Sequence, residues 1–135
     1  MGTWAIDSFG NDDAADWLCD LTEQGDLGFV LETIARVLAT DGYLEAPEAA
    51  RALAAIEVVA AAMGRPTESA HGEGDLMAWI TKVKPVVDPL LISKATQAID
   101  RILAPESELR ELWEEVEEFG DWQKEVEGLR SRLHI

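Results

Sequence analysis

Residues Ala46–Met63, APEAARALAAIEVVAAAM, decide how the chain is read. Alanine fills nine of these eighteen positions, and the only charges are Glu48, Arg51 and Glu57. Alanine is the strongest intrinsic helix former, and proline at the second residue sits in the first turn, where a missing N–H costs nothing. Ala49, Leu53, Ile56, Ala60 and Met63 make one stripe, and Val58 and Val59 widen it. A helix with so few polar residues is buried on more than one side. This stretch therefore predicts a central helix, its small side chains letting neighbours pack close. It is shorter than the roughly 20 apolar residues of a membrane span, and its charges interrupt it. Gly64 and Pro66 supply the stop.

The same three-and-four spacing runs outward in both directions. Upstream, Asn11 caps a helix over Asn11–Glu23 with Ala14, Trp17, Leu18 and Leu21 on one face, ended by Gly25. A second helix opens at Asp26, carries Val30, Leu31, Ile34, Val37 and Leu38, and ends at Asp41-Gly42. Downstream, residues 66–74 (PTESAHGEG) read as a loop, followed by a short helix from Asp75 to Val83 that Pro85 interrupts. Asp88-Pro89 opens a fifth helix running to Pro105. A sixth carries Leu109, Leu112, Trp113, Val116 and Phe119 up to Gly120. Asp121 caps a seventh with Trp122, Val126, Leu129 and Leu133. No run alternates as a strand does. The expectation is an all-α, compact single-domain bundle of six to seven helices spanning residues 1–135.

Charge narrows the possible functions. Acidic residues number 27 against 11 basic ones, a net of -16 over 135 residues. Nucleic acid and anionic membranes carry the same sign, so direct binding to either is not expected. A single cysteine cannot form an internal disulfide, and the N-terminus lacks the basic and apolar segments of a signal peptide. The expected location is the cytoplasm, as a monomer or homodimer. The excess of arginine over lysine and the abundance of alanine hint at a GC-rich bacterial source.

Chemistry-bearing constellations are sparse. Cys19 reads as a small core residue, and neither His71 nor His134 is placed to act as its base. One cysteine and two distant histidines cannot form a zinc site, and the glycines at 72 and 74 lack the lysine and strand of a phosphate loop. No catalytic residue, metal ligand or cofactor site is therefore expected. Two candidate sites remain. The first is the N-terminal cluster Trp4, Phe9, Asn11, Asp12, Asp16 and Trp17, where Asp12 and Asp16 are one turn apart and could meet a cation, a small ligand or a basic group. The structural alternative is aromatic pinning and helix capping. The second is an acidic face, Glu111, Glu114, Glu115 and Glu118, three and four residues apart within a segment (105–127) of ten acidic and two basic residues. Such a row solubilises a surface, and it also speeds encounter with a basic protein. A narrower version is mimicry of the DNA backbone.

The opening Gly2-Thr3-Trp4 with Phe9, Asn11-Asp12, Ala14, Asp16-Trp17 and Leu21 resembles a bacterial family of unknown function, DUF4259. The likeness extends to Tyr43-Leu44-Glu45-Ala46 with Met63-Gly64-Arg65-Pro66, and to residues 107–115 followed by Trp122. Trp4 is followed by Ala5-Ile6, where the family commonly has glycine. The resemblance implies a small stand-alone helical protein and assigns no catalytic residue, cofactor or substrate. Taken together, the residues lead us to expect a non-enzymatic protein-binding module, of immunity, inhibitor or regulatory type, that engages a basic partner. The alternative is a small-ligand or cation site, or an enzyme, at the N-terminal cluster.

Overall fold

The central helix is where the alanine-rich stretch puts it. In the computed structural model, which describes residues 6–134, it is Ala46–Ala62, and thirteen of its seventeen residues are buried. The full order is α1 (Asp12–Gln24), α2 (Leu27–Ala39), α3 (Ala46–Ala62), α4 (Glu68–His71), α5 (Gly74–Val83), α6 (Pro89–Leu103), α7 (Glu108–Glu114) and α8 (Phe119–Arg132). The other seven helices all pack on α3. Alanine makes that possible, because a thin helix can be surrounded on every side while the neighbours remain within van der Waals reach. The buried apolar side chains form one cluster running from Phe9 to Leu133. Helix makes up 72% of the described residues, and none of them belongs to a strand. No helix among the described residues is long and apolar enough to cross a membrane.

Local chemistry sets most of the boundaries. Asn11, Asp26 and Asp88 each accept a hydrogen bond from a first-turn N–H, at 2.9, 3.1 and 2.8 Å. Gly64, with φ +84°, turns the chain out of α3 while the Gly64 and Arg65 N–H groups reach back to the Ala61 and Ala60 carbonyls. Gly25 serves differently. A Cβ there would lie 2.8 Å from the Leu21 backbone, so the residue must be glycine for α1 to end against its own last turn.

The helix number exceeds the expected six to seven by a single added turn, and one helix end also differs. The stretch read as a loop, 66–74, contains the single turn α4. Thr67 caps it by accepting from the Ala70 N–H, and the same hydroxyl donates to Glu57 of α3, so a tertiary partner holds the turn. The sixth helix also ends sooner than its apolar spacing predicts. It stops at Glu114, and residues 115–118 make a turn. Four glutamates, at 114, 115, 117 and 118, crowd the negative end of the helix dipole there. Gly120, expected as the stop, lies instead in the first turn of α8.

Two connections are tied through their backbones. Leu44, after α2, and Ser107, after α6, form an isolated parallel bridge through the Leu44 N–H to Glu106 and the Glu108 N–H to Leu44, both 2.8 Å. Glu108 then accepts from the Ala46 N–H at 2.7 Å, capping α3 from 62 residues away.

Candidate functional site

The acidic corner is built by aromatic packing beneath it. Trp113, the penultimate residue of α7, stacks on Trp122 of α8 with centroids 6.0 Å apart and planes 9° from parallel. Phe119 adds a tilted contact to Trp122 at 6.1 Å, and the Arg110 guanidinium lies over the Phe119 ring. Both tryptophans are buried, so the two helices are clamped together and the turn between them is pushed outward.

That turn carries Glu115, Glu117 and Glu118, all exposed, with Glu111 and Glu114 on the adjoining turns of α7. The expected single row along one helix is therefore broken. Glu111 and Glu114 lie on α7, Glu115 ends it, and Glu118 belongs to the turn. The carboxylates form a corner, because the like charges disfavour a continuing helix. Val116 protrudes among them, 37% exposed, and Tyr43 beside them is 47% exposed. The Tyr43 hydroxyl donates to Glu111 at 2.6 Å, and that hydrogen bond, with some burial and the Glu111 and Glu108 charges, pushes the phenol up to about 12. Arg110 is held within the fold by Glu114 at 3.6 Å, by the Leu103 carbonyl and by Phe119.

The N-terminal cluster is divided by the fold. Trp17 points inward, stacks on Phe29 at 5.3 Å and donates from its indole to Thr33 at 2.7 Å. Phe9 is buried, and Asn11 caps α1. Asp12 and Asp16 are exposed on the opposite side of α1. Trp4 lies outside the described residues. Cys19 was expected in the core but is exposed, because at about 100° per residue it falls away from the Ala14–Trp17–Leu18–Leu21 stripe. Its thiol donates to Glu23, a bond that favours the thiol over the thiolate and raises its pKa. Both histidines are exposed, and neither bonds to Cys19. Among the described residues, no group of three or more Asp, Glu, His or Cys side chains could hold a metal ion.

One ionisable group was missed by pattern reading. Glu57 is only 1% exposed and lies in the middle of α3. Its two carboxylate oxygens accept from Ser8 at 2.7 Å and Thr67 at 2.5 Å, tying the segment before α1 and the start of α4 to the central helix. Burial raises its pKa. The two hydroxyls oppose that rise, and the charges of Glu125 and Asp7 add to it. The available signal was the lone carboxylate in a run of alanine and valine.

The geometry is that of a small all-α protein with a buried structural carboxylate and an exposed acidic corner. The family model described as Domain of unknown function (DUF4259) matches residues 2–125, and the chain belongs to that family. No curated protein and no solved structure matches it significantly.

Proposed function

We propose that this DUF4259 member is a non-enzymatic, cytoplasmic bacterial protein-binding module, of immunity, inhibitor or regulatory type, whose acidic corner docks a basic protein surface. The observation that carries this reading is the turn at residues 115–118, which exposes Val116 together with Glu115, Glu117 and Glu118, next to the exposed Glu111 and Glu114 of α7. An apolar contact supplies affinity once water is excluded, and surrounding carboxylates speed encounter with a positive patch. Arg110, the cation nearest in sequence, pairs with Glu114, and the other four glutamates of the corner join none of the ion pairs among the described residues, so most of the field there is left uncancelled.

The test is affinity capture from a lysate of the source organism, at low and high salt. The wild type is compared with a variant carrying Glu111→Lys, Glu114→Lys, Glu115→Lys and Glu118→Lys. A stoichiometric basic partner held by the wild type, weakened by salt and lost by the variant, supports the reading. The same proteins captured by both forms at both salts overturn it.

A further inference from the structure

The chain's few lysines gather at the opposite end of α6 from the acidic corner. Three of the four, Lys82, Lys84 and Lys94, fall within thirteen residues whose only acid is Asp88, a local charge of 3 - 1 = +2 in a chain of -16. The ion pairs among the described residues are all made by arginine, so these lysines have no carboxylate partner there. The same segment carries the most exposed apolar side chains, Val86 at 85% and Leu90 at 62%. Isolated exposed apolar residues are ordinary, but a contiguous apolar surface marks an interface.

Here the surface is contiguous. A cavity of about 220 Å³ opens between the start of α2 and the connection from α5 to α6. Leu27, Gly28 and Leu31 form one lip, and Val86, Leu90 and Leu91 form the other, with Asp88 beside them. A volume of that size accepts an aliphatic side chain. The lips differ in charge. The α2 lip carries Asp26 at its cap and Glu32 one turn beyond Gly28. Arg36 pairs with Glu32 at 3.5 Å, but both side chains are about two-thirds exposed (66% and 65%), a geometry that contributes little. The opposite lip carries Lys84 and, one turn beyond Leu90, Lys94. Asp88 on that lip and Asp26 on the other each cap a helix by accepting from the Leu91 and Phe29 N–H groups, so they offset one another and the lips differ by Glu32 against Lys84 and Lys94.

We propose that this face is a two-fold interface with a second copy of the chain. In a two-fold contact the same patch faces itself, so each contact occurs twice. A patch with one acidic and one basic lip complements itself under that rotation. The acidic lip of one copy then lies on the basic lip of the other, and each Val86 enters the partner's groove. A uniformly charged rim would repel its copy. The remaining negative charge is screened beyond about 8 Å at physiological salt. The acidic corner lies past the far end of α6, roughly 20 Å along the helix axis. Dimerisation therefore leaves that corner open, and this inference stands independently of the proposed basic partner.

The experiment is sedimentation velocity on the full chain up to about 0.5 mM, near physiological salt, since dimer population follows protein concentration. The expected result is a concentration-dependent monomer–dimer equilibrium. Val86→Asp and Leu90→Asp, both at exposed positions and checked for unchanged helicity by circular dichroism, should each weaken dimerisation by about 100-fold or more, because a charge would be buried in the groove. Lys94→Glu should also weaken it, and adding Glu32→Lys to that variant should restore it. A monomer at every concentration overturns the proposal. So does a dimer indifferent to Val86→Asp and Leu90→Asp, or one in which the Lys94/Glu32 exchange restores nothing.

Discussion

Glu57 in α3 and the glutamates of the α7–α8 corner are the same residue type in opposite circumstances. Glu57 is enclosed by alanines and valines, and each of its oxygens has a hydroxyl donor. The corner glutamates stand in water, several within one helical turn of another. A buried carboxylate is costly unless hydrogen-bonded, so it fixes the groups that satisfy it. For Glu57 those groups are Ser8 and Thr67, and through them two separate segments are held to the central helix. An exposed carboxylate fixes almost nothing, and its field reaches outward instead. Net charge counts the two alike, yet one is enclosed by the fold and the others face solvent.

The sharpest way to break the buried side of this comparison is away from any charge. Trp17→Ala removes a stacked, hydrogen-bonded indole from the core and should lower stability by about 4 kcal/mol, read as a fall in the urea midpoint.

Glu57→Ala should cost about 3 kcal/mol, since it opens a cavity and strands the Ser8 and Thr67 hydroxyls. Glu57→Gln preserves the shape and isolates the charge. Burial makes the folded state hold the Glu57 proton more tightly than the unfolded state does. That group's contribution is therefore complete below its ordinary value of 4.5 and is lost as pH rises through the raised folded value. Melting temperatures of the Gln variant minus wild type should thus increase from acid to neutral pH. A flat difference would show that Glu57 titrates as it does in the unfolded chain.

Ser107→Ala tests a buried hydroxyl with no partner. Its side-chain oxygen is enclosed and unbonded, so removing it should leave stability unchanged or raise it by about 1 kcal/mol, by thermal melting.

The smallest effects belong to the exposed side. The corner substitutions named above should each change stability by less than about 0.5 kcal/mol, although together they should abolish capture of the proposed basic partner. Tyr43→Phe sharpens the point. The Tyr43 contribution is full below 10.0 and is lost as pH rises through about 12. Melting followed across that alkaline range should show a weaker decline in the Phe variant than in wild type, so that any advantage of wild type is greatest near neutrality and closes as pH rises through about 12.

Helix identity was legible wherever a local signal and an apolar stripe agreed. Asn11, Asp26 and Asp88 cap helices as their sequence context predicts, Gly64 ends α3, and the alanine-rich stretch is the buried centre. These features depend on hydrogen bonds and side-chain periodicity within a few residues, so the order of the chain suffices to specify them. Other features depend on partners far away in the chain. The turn α4 exists because Thr67 finds Glu57, and α3 is capped by Glu108. The α7–α8 corner forms because Trp113 stacks on Trp122 while the glutamates between them resist a continuous helix. The placement of Cys19 outside and Trp17 inside followed from helix phase, which the apolar stripe already contained. The pairing of Ser8 with Glu57, 49 residues apart, and the meeting of α2 with the α5–α6 connection did not. Such contacts arise only when the packed helices bring distant segments together, because burial selects partners by position in space rather than by separation along the chain.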